Sequence, residues 1–502
     1  MNPRVKAVHD LSVADARENA GLHDYDGVVQ DLSPAAVAAG LRALGDGPKE
    51  PDPHDEAHLA ATEAGLRVAY GDAAQHRTNP MVHIGNLDLA CYDREYAPAA
   101  EREEARRRHL AGWPDAIDAT VEALDSVPGP VARASLPAAQ GLAAGLSPGD
   151  PATDAALAAH QRLVDHLGRA AAGPDDVALG GAVLARLMGE PEATSVDLGR
   201  LATQAQNESV RLRSMLDSAC EQLAPGTPTA DVVEGLVRDH PGPGGIEVAA
   251  RQLIDEASAF TAEHDLMPPI DGVCLVGPAP ESRRWAMAMM AWAAPYEADA
   301  PSWYHVTPPD PSWSPEEQED WLAAFSHTTL PAITVHEVTP GHFAHGRILR
   351  RVRGDVRRSL FSFAFVEGWA HYAEELMLEE GFRAEDPRFR AGVCLEALVR
   401  VVRLQVAIGL HTEAITMPEA VRAFEDHAYL KGPAARAEAE RATFDPTYGR
   451  YTWGKLAILA LRDEAQAAWG RRYSHRRFHE ALLALGSPPL GLIGNALGEQ
   501  AP

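Results

Sequence analysis

Thr334-Val335-His336-Glu337-Val338-Thr339-Pro340-Gly341-His342-Phe343-Ala344-His345 is the most informative run in the chain. Two histidines four residues apart on a helix sit about 40° apart and share a face, so both can reach one ion while an adjacent glutamate holds a water. Here the fourth position after His336 is Pro340, and the next histidine, His342, comes six along. On an ideal helix that separation turns it roughly 120° away. A regular helix therefore fails to bring the pair together. Pro340 removes an intrahelical bond and Gly341 tolerates unusual dihedrals, so the run predicts a helix that kinks and swings His342 back towards His336.

Downstream, at about a helix-turn-helix length, Phe365-Val366-Glu367-Gly368-Trp369-Ala370-His371-Tyr372-Ala373-Glu374-Glu375 offers a carboxylate, Glu367, as a third ligand. Two imidazoles and one carboxylate leave a position open for water, the arrangement of a catalytic rather than a structural zinc site. The same donors suit manganese or iron. Zinc is preferred because Glu337, beside His336, supplies the base that hydrolysis needs. His345, three after His342, and His371, four after Glu367, are helical neighbours of the ligands, read as their supporting partners or as alternative ligands. Glu374 is a candidate for orienting a ligand histidine, with a solvated helix face as the plain alternative.

Working outward, much of the chain reads as helix. Ser33-Pro34 is a serine cap followed by a first-turn proline, and amphipathic stretches follow at His54 to Tyr70, Ala99 to Leu124, Asp154 to Ala171, Asp197 to Leu223 and Glu247 to His264. Gly- and Pro-rich breaks at Val127 to Val131, Ser147 to Pro151 and His240 to Gly245 are short enough to be turns. Gly272 to Val276 and Trp303 to Val306 read as short strands of a small sheet, and helix resumes after Ser314-Pro315. Trp285, Trp292 and the methionines between them read as core packing. The expected fold is mainly α: one large helical body, residues 1–502, with a deep cleft and one small β-sheet. Residues 1–265 would form a helical half, and 266–502 the sheet and the metal-site half.

The net charge of -27 repels phosphate backbones and anionic headgroups, so neither nucleic acid nor a membrane is an expected partner. No apolar run approaches the ~18 residues of a membrane span. Four scattered cysteines without a CxxC pair argue against a disulfide framework or a cysteine zinc site. Met1 to Asp15 lacks the ~7–15-residue apolar core of a signal peptide, which predicts a cytoplasmic protein.

The two motifs together, HExxPGH at His336 to His342 and EGWAxYxE at Glu367 to Glu374, resemble the bacterial domain-of-unknown-function 885 family. The resemblance extends to Tyr25-Asp26-Gly27, Asp31-Leu32-Ser33, Tyr304 to Pro309 and Tyr451-Thr452-Trp453-Gly454-Lys455, nearly the whole chain. That family looks like a relative of helical zinc dipeptidyl and oligopeptidases. The resemblance implies an enclosed cleft between helical halves and a short strand that aligns an extended substrate. It makes Tyr451 a candidate oxyanion donor and Arg441 a candidate binder of a substrate carboxylate. Tyr304 and His411 join the candidates beside the ligands or the substrate. The chain departs from the pattern at Phe343-Ala344-His345, at Ala407 and at Asp445-Pro446-Thr447, changes that leave the presumed ligands intact and alter their surroundings.

The leading expectation is hydrolysis of peptide or amide bonds, with Glu337 deprotonating a metal-acidified water and later passing the proton to the leaving amine. The substrate would be a peptide or a small amide. A second expectation keeps the site but acts on an amino-acid-derived small molecule. A third is a helical binding protein without activity.

Overall fold

The computed structural model describes residues 1–242 and 244–499, and 67% of the chain is helical, with one small sheet. The mainly α expectation is met. Local chemistry accounts for many helix starts: the Ser33 side chain accepts from the Ala36 N–H with Pro34 at the first position, and Asp150 does the same for Ala152 and Thr153 ahead of Pro151–Ala170. The expected continuous helix from Ala99 to Leu124 is instead two, Ala99–Ala111 and Trp113–Ala123. Pro114 has no N–H to continue the first helix, and it starts the second in the first turn, where none is needed.

The elements around the site come from the second half and one long helix of the first. Helix α1 (Leu198–Leu223) lies against α6 (Pro387–His411), with α2 (Gly245–Glu263), α3 (Leu330–Glu337), α4 (His342–Leu349) and α5 (Phe363–Glu379) between them in sequence. Helices α7 (Gly432–Phe444) and α8 (Arg450–Trp469) follow. On α1 the buried residues Leu201, Ala205, Leu212, Leu216 and Ala219 recur at helical spacing and join a core with Cys394, Leu398 and Val402 of α6. Each fully buried leucine there contributes roughly 1.5–3 kcal/mol. A buried ion cluster adds register: Lys455 of α8 donates to Glu208 of α1 at 2.5 Å and to Glu375 of α5 at 3.0 Å.

Helices α5 and α8 cross at two glycines. A Cβ at Gly454 would lie 2.0 Å from the Ala364 carbonyl oxygen and 2.8 Å from the Gly368 Cα, so no larger residue fits either position. This contact sets how close Glu367 and Tyr451, on the two helices, can come.

The sheet has three strands in the order β1-β3-β2: β1 (Cys274–Pro278) runs parallel to β3 (Ser302–Val306), and β2 (Ala288–Ala291) runs antiparallel to it. The register pairs Val276 with Tyr304 and Tyr304 with Met290. The expectation that Trp285, Trp292 and the methionines between them are core holds for Trp292, buried with Leu349 and Val366, and for Met287 and Met290, which pack half-buried against the core, and it is corrected for Trp285. Met289 and Met290 lie on an edge strand, and Trp285 is 36% exposed in the turn before it. A four-residue run of alanine and methionine has no alternation to mark it as a strand.

Candidate metal centre

Helix α3 ends at Glu337, and the chain does not bend smoothly into the next histidine. It makes a bulge through Val338 to Gly341, and His342 opens α4. Gly341 is required there for space: a Cβ would meet the His336 carbonyl oxygen at 1.8 Å. The bulge is tied to α5 by Trp369, fully buried, whose indole N–H donates to the Pro340 carbonyl at 2.9 Å. The EGWA segment thus supplies a ligand candidate and, two residues on, the hydrogen bond that holds the other two in place.

The result brings His336, His342 and Glu367 together, with one potential ligand atom from each lying within 4.8 Å of the others. The two imidazoles are perpendicular, their centroids 4.7 Å apart. Glu367 Oε2 is 3.2 Å from His342 Nε2 and 3.7 Å from His336 Nε2. His336 Nδ1 is 2.7 Å from Glu374 Oε1, which makes Nδ1–H the donor and leaves Nε2 with its lone pair facing Glu367. Glu374 is fully buried and held by Arg400 at 3.2 Å. Burial pushes the Glu374 carboxyl up, but Arg400 and the imidazoles of His371 and His336 outweigh it and hold it below the usual carboxylate range. Glu367 behaves the same way: burial raises it, and the two histidines bring it well below its ordinary value.

Glu337 is the contrast. Buried, with Oε2 lacking any protein partner, it is pushed up to about 7, mainly by burial and partly by the charge of Glu367, against the pull of His342. Tyr451 donates to Glu367 Oε1 at 2.9 Å and accepts from Arg441 Nη2 at 3.1 Å. Burial, ahead of every other influence, raises the Tyr451 phenol, so it stays protonated as a donor. His336, Glu337, His342, Glu367, Arg441 and Tyr451 line a cavity of about 240 Å³, with Arg450, Met289, Met290 and Trp285 on its other walls.

Other candidates stand elsewhere or in other roles. Arg441 reaches the cavity but is paired with Asp445 at 3.1 Å as well as with Tyr451, which leaves it a poor free partner for a substrate carboxylate. His371 is buried 3.5 Å from Glu374, behind the ligands, and burial lowers it to about 3. His345 packs between Trp292 and Phe365, near the Gly486 carbonyl and Ser487, away from the group. His411 sits between the carbonyls of Val177 and Ala442. Tyr304 is buried in the middle strand and does not line the cavity. Two participants escaped the sequence reading: Arg450, next to Tyr451 and braced by Asp445 at 2.6 Å, and Arg400 behind Glu374. Arg450 was signalled only by adjacency, and Arg400 by nothing local.

The fold has solved counterparts. A protein of unknown function from Shewanella oneidensis, assigned as a lipoprotein, superimposes with a TM-score of 0.74 at 19% identity, covering 98% of each chain. A second, from Colwellia psychrerythraea and also assigned as a lipoprotein, gives 0.77 at 15% identity over 99% of this chain and 98% of its own. At these identities the likeness is one of fold. No curated protein sequence matches the chain. Among the described residues no helix is long and apolar enough to cross a membrane. The cytoplasmic expectation drawn from Met1 to Asp15 is corrected, because both whole-length counterparts are described as lipoproteins. The two motifs that built the site are matched in turn by a family model spanning residues 16–497, and the chain belongs to that family, the bacterial proteins of unknown function DUF885.

Proposed function

We propose that the chain is a metal-dependent hydrolase of peptide or amide bonds, with His336, His342 and Glu367 holding the ion and Glu337 acting as general base. The observation that carries this reading is the convergence of two neutral-capable imidazoles and one carboxylate within 4.8 Å, with Glu374 fixing the His336 tautomer from behind. The donor set fits zinc, and manganese or iron would also be accepted. Glu367 Oε2 and Glu337 Oε2 are buried without a protein hydrogen-bond partner, as expected of atoms reserved for an ion and a water.

When bound, a divalent ion supplies Lewis acidity and lowers the pKa of a water at the site. Glu337, whose Oε2 has no protein partner, would take the proton from the attacking water and hand it to the leaving amine. Tyr451 donates to the substrate carbonyl oxygen as negative charge builds on it, and Arg441 holds the phenol in place. Strand β2 is an edge of the sheet and lines the cavity, so an extended backbone can lie beside it.

The test uses the full chain loaded with zinc against a panel of short peptides and simple amides. Glu337→Gln should lower turnover by about 10²–10⁴-fold with metal content unchanged. An unaltered rate in that variant sinks the assignment of the base.

A further inference from the structure

A second cavity, of about 340 Å³, adjoins the one at the metal centre, and Trp285 lines both. This shared wall is a side chain carried on the turn between the short helix Glu281–Arg283 and β2, and it is 36% exposed. Its ring stands edge-on to Phe444, with centroids 6.1 Å apart, and the Arg441 guanidinium lies 5.3 Å from its centroid. Arg441 and Phe444 are three apart on α7, and they fall on opposite sides of the wall: Arg441 lines the metal-side cavity and Phe444 the other. Turn and helix end thus divide the space with side chains and not with backbone.

The second cavity has its own character. Besides Trp285 and Phe444 it is walled by Trp313 and Trp321, whose rings meet at 60° with centroids 5.2 Å apart. The Trp321 indole N–H is already taken by the Thr307 carbonyl at 3.0 Å, so its ring offers surface and no free donor. Charges of both signs ring the space, Arg284 and Arg436 against Glu281, Asp310 and Glu440, a slight acidic excess that disfavours an anionic group inside it. Four aromatic walls select a flat apolar group, which gains edge and stacking contacts as well as burial.

We propose that the two cavities are one substrate cleft divided by Trp285, in which the bond to be cleaved lies on the metal side and an uncharged aromatic side chain of the same substrate occupies the tryptophan side. The inference rests on the hydrolase reading for what happens at the metal side, but its test does not. Calorimetric titration of the metal-free full chain with acetyl-Ala-Ala-Trp-amide and acetyl-Ala-Ala-Ala-amide measures the preference without turnover. The tryptophan peptide should bind at least about tenfold more tightly, and Trp313→Ala should bring the ratio close to one while the alanine peptide is unaffected. Trp285→Ala, at a partly exposed position that the fold does not need, should also reduce the ratio. Equal affinities in the unaltered chain, a ratio untouched by both variants, or no measurable binding of the tryptophan peptide at millimolar concentration would overturn the proposal. Failure of the hydrolase reading would appear separately, as an absence of Glu337-dependent turnover with the ratio intact.

Discussion

The histidines buried in the first half and those of the candidate metal centre in the second are held in different ways. In the first half His58, His83 and His109 are each fully buried and stand alone: His83 spans the Thr120 hydroxyl and the His76 carbonyl, and His109 meets the Tyr92 hydroxyl at 3.0 Å. Burial lowers all three, to about 3, 4 and 3, so they are neutral packing residues at ordinary pH. In the second half His336 and His342 are buried facing one carboxylate, Glu367, and a second, Glu374, stands behind His336. A buried histidine is therefore not a candidate site by itself; a carboxylate shared with a second imidazole makes it one.

Exchanging the roles tests that contrast most severely. His342→Ala should reduce bound zinc from about one per chain to none by elemental analysis, while His83→Gln and His109→Gln keep their metal and lose only stability. Metal retained in His342→Ala would collapse the distinction. Next in size, Gly454→Ala drives a methyl into the Ala364 carbonyl at the α5–α8 crossing. A loss above about 4 kcal/mol is expected in denaturant unfolding, together with weaker metal binding as Tyr451 is displaced from Glu367.

Lone carboxylates extend the comparison. Glu192 of the first half is buried, accepts from the Ser362 hydroxyl and the Leu490 N–H, and is pushed up to about 7, mainly by burial. A carboxyl whose folded pKa is raised adds stability below its unfolded value and loses it as pH climbs through the folded one. Between about pH 4.5 and pH 7 the unaltered chain should lose about 3 kcal/mol relative to Glu192→Gln. Parallel melting curves for the two proteins would show the effect is absent. The clustered Glu374 should behave otherwise: Glu374→Gln should weaken zinc affinity by roughly 10–100-fold in competition with a chelator. Smallest of all, Trp369→Phe removes one indole N–H from the Pro340 carbonyl. It should cost about 1 kcal/mol in thermal unfolding while leaving the metal bound.

Much of this could be read along the chain. Serine and aspartate caps, first-turn prolines and apolar spacing marked the helices, and the break at Pro340-Gly341 marked the bulge that lets His336 and His342 meet. What misled were short runs whose composition did not declare their environment. The Ala288 to Ala291 strand carries no β-branched residue, and Trp285 beside it looked like core although it is partly exposed between two cavities. His345 and His411 shared the helical spacing or the motif context of ligands, but their rings turn towards other partners.

By itself the sequence determined a mainly helical body, the broken segment that carries two imidazoles and the Glu337 carboxylate, and the glutamate that can complete the set, because helix formation, capping and a proline-glycine break are local properties. Tertiary structure alone decided that Glu374 stands behind His336, that Trp369 holds the bulge, and that Tyr451 meets Glu367 across a crossing of Gly368 on Gly454. Those partners come from different helices, and only the packing of one helix on another determines which polar groups are buried face to face.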